Sequence, residues 1–278
     1  MPSLSKENLG VEKHRNREES TRAGKAWYDT YMPPKIPSPR CWKNIIAFSL
    51  AVALFWFLEF AYQYYRLIPG DLGLSLVRSF ALTAATFIGF ALFLSAIFKW
   101  FGRTARYWRL RRYSGVAGFL FAFFHVWSVY HFLYNYNIGK IYFSLNPFIN
   151  PIIFGSLAFP ILFLMAVSST DWAVRKLTPH VWKNLHRFVY VAYWGIVFHM
   201  SFLSADLLNN IAGYVLLLIT SLALFGELYW YIRIAGKKRF RSLGTLIGAL
   251  IILLYLGTAY LAYSYKTGVR ETAKNLQR

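Results

Sequence analysis

The strongest constraint on this chain is the recurrence of apolar runs long enough to cross a bilayer. A hydrocarbon core of about 30 Å calls for about 20 apolar residues per helix. Seven runs meet that length, at 45–66, 76–100, 113–134, 149–168, 185–204, 211–232 and 243–264. Inside lipid every backbone N–H and C=O must find a partner within the protein, and uninterrupted runs of this length satisfy that as helices. The expected fold is all-α: a polytopic membrane helix bundle of about seven transmembrane helices. The fourth run contains Pro160, which should kink its helix, a defect that packed neighbours tolerate in a membrane.

Charge sets the orientation. Hydrophobic residues make up 57% of the chain and charged ones 15%, against roughly 25% charged in a soluble domain. The charges are lopsided, 31 Lys and Arg against 11 Asp and Glu, for a net +20. They gather on alternate loops. Lys99, Arg103, Arg106, Arg109, Arg111 and Arg112 lie between the second and third runs. Arg175, Lys176, Lys183 and Arg187 lie between the fourth and fifth, and Arg233, Lys237, Lys238, Arg239 and Arg241 between the sixth and seventh. The other loops carry little beyond Arg66 and Lys140. By the positive-inside rule the N-terminus is cytoplasmic, and seven spans put the C-terminus outside. Because the basic charge flanks apolar runs, it points to the lipid membrane and argues against nucleic acid as a partner. The single cysteine, Cys41, excludes a disulfide framework, a thiolate zinc site and a Cys-held iron–sulfur cluster within the chain.

The chain divides accordingly into three parts. Residues 1–44 form a cytoplasmic polar and basic N-terminal arm, closed by the proline-rich stretch Met32 to Arg40 and lacking the apolar core of a secretory signal. Residues 45–232 form the transmembrane bundle. Residues 233–278 form a basic loop, an extra transmembrane helix and a short external tail, with no room for a soluble domain after it.

Ionisable groups inside a span are costly and mark function by default. Of the six histidines, His14 lies in the arm and His180 in a cytoplasmic loop, both as ordinary solvated side chains. His125 and His131 fall in the third run, His186 and His199 in the fifth. His125 comes thirteen positions after Arg112, and His199 twelve after Arg187, the residues at which their helices leave the cytoplasm. At 1.5 Å per residue both imidazoles stand about 18–20 Å from that face. Two neutral imidazoles at matching depth, on helices running the same way, can ligate one b-type heme from opposite sides. They can equally be hydrogen-bonded packing residues, and depth alone does not separate the two.

His186 precedes His199 by thirteen positions, which brings it to the cytoplasmic boundary, where it could serve a second heme. On an ideal helix the two side chains point about 140° apart, so a shared face needs tilt, supercoiling or a local irregularity. The third run offers Arg112 at that depth. A guanidinium stays protonated and is a poor iron ligand, but it pairs well with a heme propionate or a flavin phosphate. The alternative is one heme only, with His186 and Arg112 edging a flavin or quinone site. His131 stands about 9 Å farther out than His125 and about 240° round the helix, as a rim residue. Phe121, Phe123, Phe124, Trp127, Tyr193, Trp194 and Phe198 could wall a porphyrin or face lipid. Glu59 and Glu227 also fall in spans; they could bind a quinol or relay protons, but a snorkelling or hydrogen-bonded carboxyl accounts for them. No phosphate-cradling glycine loop, nucleotide fingerprint or HExxH pattern occurs.

Two segments carry a resemblance. Arg111-Arg112-Tyr113-Ser114-Gly115 followed by His125, and the run SSTDWAVRKLTPHVWKNLHRFVYV from Ser168 to Val191, are similar to the ferric-reductase-like transmembrane family. The likeness spans approximately residues 76–232. It implies a six-helix heme core that carries electrons outward through heme b, in one or two copies. By position it makes His125, His186 and His199 axial ligands of heme iron and puts Arg112 in the inner-heme region. It also implies FMN on the cytoplasmic side, though no residue announces it. The arm, the seventh helix and the lack of a histidine in the first helix depart from the family pattern, and they bear on the partner more than on the cofactor.

The reading that follows is a heme-binding electron-transfer subunit of an oxidoreductase system in a bacterial inner membrane, with no catalytic residues of its own. Its donor would be a cytoplasmic flavin reductase or a quinol, and its acceptor a periplasmic or other external oxidoreductase. The competing readings are a transporter or channel, whose intramembrane histidines bind substrate or protons, and a structural membrane subunit.

Overall fold

The computed structural model describes the backbone of residues 39–101, 108–177, 179–203 and 211–235. The arm before residue 39 and the segment 236–278, with the seventh apolar run, lie outside the described residues. All regular structure among the described residues is helical. Helix α1 runs Pro39–Tyr62 and continues as a π turn, Gln63–Leu67. Helix α2 is Leu72–Phe101, and α3 is Trp108–Ser128, continued by a π turn at Val129–Leu133. The short α4, Ile138–Ile141, lies in the loop before α5, Ile152–Ser168, which runs unbroken through Pro160. Then follow α6 (Asp171–Lys176), α7 (Pro179–Arg187), α8 (Val189–Leu203) and α9 (Ile211–Ala235).

The segments Trp42–Leu67, Leu72–Ile97 and Arg109–Leu133 are long and apolar enough to cross a membrane, with mean hydropathies of 2.0, 2.1 and 1.6. Shorter apolar stretches form α5 and the middle of α9. The protein is an all-α membrane helix bundle. Its side chains sort as lipid demands. Trp42, Ile46, Leu50, Leu54 and Leu58 recur at helical spacing on α1 and are exposed, forming a face for acyl chains. Many of the buried positions on α2 are small or hydroxylic, including Ser75, Ser79, Thr83, Ala84 and Ala85. Lipid tails give apolar helices no hydrophobic reason to associate, so close approach of small residues supplies the packing.

Helix α2 is the hub. It packs on α1, α3 and α9, while α5 and α8 pair with each other and close the far side. The buried core joins Ile88 and Leu92 of α2 to Ala122 of α3, Leu162 of α5, Ala192 of α8 and Ala223 of α9. Tyr193 crosses this core, its hydroxyl 2.7 Å from Thr220 Oγ1. It fits because residue 89 is glycine; an added Cβ there would collide with the phenol oxygen. The chain enters α2 through a tight turn at Gly70, whose φ of +84° only glycine adopts freely.

The fifth apolar run, expected as one helix over 185–204, is divided. A turn at Phe188 separates α7 from α8, so the ideal-helix angle between His186 and His199 does not apply.

Gly118 sets the distance between α2 and α3: an added Cβ would stand 2.6 Å from Ile88 Cγ1 and 3.0 Å from its backbone nitrogen. Gly118→Ala should therefore destabilise the bundle by about 1–3 kcal/mol, the usual range for overpacking. Gly115→Ala, one turn away and facing open space, should be neutral or slightly stabilising. Thermal unfolding of both variants in one detergent checks the contrast.

Candidate functional site

The structure brings the rings of His125 of α3 and His199 of α8 together, edge to face. Their ring centres are 6.2 Å apart, with the ring planes at 72°. Each imidazole is held from behind by a backbone carbonyl. His125 Nδ1 lies 3.0 Å from Val77 O on α2, and His199 Nδ1 lies 3.0 Å from Pro151 O at the start of α5. A carbonyl only accepts, so both rings must carry their proton on Nδ1. That leaves the Nε2 lone pair of each ring for another partner. Nδ1–H to a backbone carbonyl is the arrangement that fixes tautomer and orientation in metal-ligating histidines.

The spacing fits a metal between the rings. With metal–nitrogen bonds of about 2 Å on each side, and each nitrogen about 1.1 Å from its ring centre, the centres of two opposed imidazoles stand about 6 Å apart. Gly155 of α5 makes room for one of them. A Cβ at that position would lie 3.1 Å from His199 Nδ1 and 3.2 Å from its Cε1 and Cγ. The aromatic residues expected around the pair differ in burial. Phe123, Phe124 and Trp127 are exposed, whereas Tyr193 is buried in the core.

His186 is placed differently. It sits near the end of α7, outside the membrane-spanning segments, with Trp182 stacked on it at 4.0 Å between ring centres. Its Nε2 lies 3.1 Å from Ser168 Oγ, and Trp182 Nε1 donates to Ser168 O at 3.1 Å. The Ser168 hydroxyl also donates to Met165 O, so in that arrangement its oxygen accepts from His186 Nε2–H. The nitrogen that is open on the outer pair is thus engaged here. His186, Trp182, Arg111 and Arg112 line one cleft of about 70 Å³ together with Gly115, Phe119, Leu162 and Ser169. Burial and then the charges of Arg111 and Arg112 lower the His186 pKa to about 4, which keeps the ring neutral at pH 7.

Sequence reasoning singled out Arg112 but not Arg111, Trp182 or Ser168. The adjacent arginines were a signal for the first; the other two are connected to His186 only by the fold. His131 is exposed, its Nδ1 3.0 Å from the Tyr136 hydroxyl, and takes no part in either cluster. Glu59 accepts from Gln63 Nε2 at 2.7 Å, as a hydrogen-bonded carboxyl. The side chain of Glu227 lies outside the described residues.

Residues 79–197 match the family described as ferric reductase like transmembrane component. His125 and His186 fall inside that match, and His199 lies just past its end. The chain is similar to curated proteins named protein-methionine-sulfoxide reductase heme-binding subunit MsrQ. Those of Brucella ovis and Brucella canis are 28% identical over 171 residues, covering 59% of this chain and 73% of theirs. That of Brucella melitensis biotype 2 is 27% identical over the same length. No solved structure matches.

The lowered pKa of His186 has a consequence for stability. The ring takes up its proton near pH 6.5 when unfolded but only near pH 4 when folded. Protonation therefore favours the unfolded chain, and stability falls as pH drops from 6.5 towards 4. In ligand-free protein, His186→Gln should flatten the dependence of unfolding temperature on pH across that window, leaving the plateau above pH 7 in place.

Proposed function

We propose that the chain is a heme-binding membrane electron-transfer subunit, with His125 and His199 as axial ligands of one b-type heme. The observation that carries this reading is the facing pair of imidazoles, each with its Nδ1–H tied to a carbonyl and its Nε2 open. Heme held there supplies exchange of one electron between ferric and ferrous iron. The protein's part is positional. Val77 and Pro151 hold both ligands in the neutral tautomer, Gly155 lets the His199 ring approach, and the surrounding helices and lipid keep water away.

The inner cleft supports a second role at the cytoplasmic end. Two guanidinium groups beside a neutral imidazole and an indole suit an anionic, planar partner, whether an FMN phosphate, a heme propionate or the edge of a quinol. Because Ser168 occupies His186 Nε2, we favour one heme, at the outer pair, over two. The donor in this reading is a cytoplasmic flavin reductase or a quinol. The names of the relatives suggest the acceptor: the catalytic subunit of a protein-methionine-sulfoxide reductase, on the periplasmic face. In this reading the N-terminus is cytoplasmic, which the basic residues of 99–112 support by the positive-inside rule, and the membrane is the bacterial inner membrane.

Two outcomes follow. The purified protein should show a low-spin bis-histidine heme spectrum, and His125→Ala and His199→Ala should each abolish it. His186→Ala should leave it intact, with heme content unchanged at about one per chain; a loss of about one heme from a total of about two would establish an inner heme instead. Separately, reporter fusions within 99–112 should be active only as cytoplasmic markers, and a periplasmic signal there would reverse the direction of electron flow.

A further inference from the structure

We infer that Asn150 is a positioning residue for the outer histidine pair, acting through the carbonyl of Pro151. The inference rests on the reading of His199 as a heme ligand. Asn150 is 1% exposed, among the most deeply buried polar residues described. All of its side-chain hydrogen-bonding groups that face the protein are used. Nδ2 donates to Ile141 O at 2.8 Å and to Ser144 O at 3.1 Å, while Oδ1 accepts from Ile152 N at 3.3 Å. These three bonds fasten the loop after α4 to the first turn of α5. The residue they bracket is Pro151.

Pro151 has no N–H with which to anchor itself, and its carbonyl carries two loads. It accepts from Phe154 N at 3.2 Å within α5 and from His199 Nδ1 at 3.0 Å across to α8. Its direction is therefore fixed from the α5 side by the helix and from the loop side by Asn150. The other half of the pair needs no such device, because Val77 lies within α2 and its carbonyl is held by helix on both sides. His199 instead relies on a carbonyl at a helix start, where backbone is least constrained.

The arrangement bears on electronics as well as on position. A hydrogen bond from Nδ1–H to a carbonyl raises the basicity of the imidazole, which favours ferric over ferrous iron. Loosening the Pro151 carbonyl should thus shift the midpoint potential of the outer heme to more positive values. It should also weaken heme retention by about tenfold, the lower end of what loss of an outer-shell partner causes.

The test compares three variants in lipid nanodiscs: Asn150→Leu, Asn150→Asp, and Gln63→Met as a control for loss of a buried amide remote from the pair. Asn150→Asp keeps the acceptor for Ile152 N and the volume but loses both donors, so it remains informative if Asn150→Leu fails to insert. In heme-loaded protein, both Asn150 variants should shift the low-spin electron paramagnetic resonance g values and raise the midpoint potential, with Gln63→Met unchanged. In heme-free protein, nitrogen-15 shifts of His199 should show the proton fixed on Nδ1 in the wild type and shared between tautomers in the Asn150 variants. A wild type without any low-spin signal would overturn the ligation reading and this inference with it. A normal wild-type signal, with g values, potential and His199 tautomer unmoved in Asn150→Asp, would overturn this inference alone. An equal shift in Gln63→Met would reduce Asn150 to general stability and overturn it as well.

Discussion

An imidazole in a bilayer cannot leave its N–H unpaired, and the rest of this structure depends on how that demand is met. Unpaired polar groups in hydrocarbon are expensive. The chain supplies backbone carbonyls, which cannot rotate away and cannot act as donors. Val77 O and Pro151 O each take a second hydrogen bond beyond the helical one, using the spare lone pair of a carbonyl. The gap between the two imidazoles is then set by the packing of four helices, α2 with α3 and α5 with α8. Small residues at the contacts become functional through that link. Gly118 brings α3 onto α2, and Gly155 and Gly195 bring α8 onto α5, where a Cβ at Gly195 would press on Phe154 O at 3.0 Å.

Depth was legible in the sequence because rise per residue is a property of the backbone alone. Counting from Arg112 and Arg187 put His125 and His199 at one height, and their rings lie 6.2 Å apart. The first three spans were legible for the same reason: length and apolarity follow from bilayer thickness, not from packing. Azimuth was not legible. The angle between His186 and His199 assumed a continuous helix, and the turn at Phe188 breaks it. Nothing in the apolar run around Phe188 announces a break; the polar, basic α7 and the apolar α8 differ in the environment each meets. The aromatic residues of α3 could not be sorted either. A helix that is apolar on every face carries no periodic signal for which side meets lipid. Asn150 escaped notice, and Ser168 and Trp182, though inside the run from Ser168 to Val191, were given no role, because each acts on a residue brought to it only by the turns between helices.

The two ends of the bundle treat their histidines by different chemistry, and the difference is in the partner. At the outer pair the partner is a carbonyl, which accepts only and locks the tautomer. At the inner cleft it is the Ser168 hydroxyl, which can donate to Met165 O or to His186 Nε2 but not to both at once. In the arrangement seen, the hydroxyl donates to Met165 O and accepts from His186 Nε2–H, so the ring proton sits on Nε2 and that nitrogen is engaged. Burial first, and then the charges of Arg111 and Arg112, keep the ring neutral, since a third positive charge in that cleft is opposed by the two already there. Trp182 stacks on the ring and holds its plane. In the proposed reading, a fixed pair suits a permanently bound heme. In the same reading, a neutral imidazole held by Ser168 beside two fixed positive charges suits an anionic partner at the cleft.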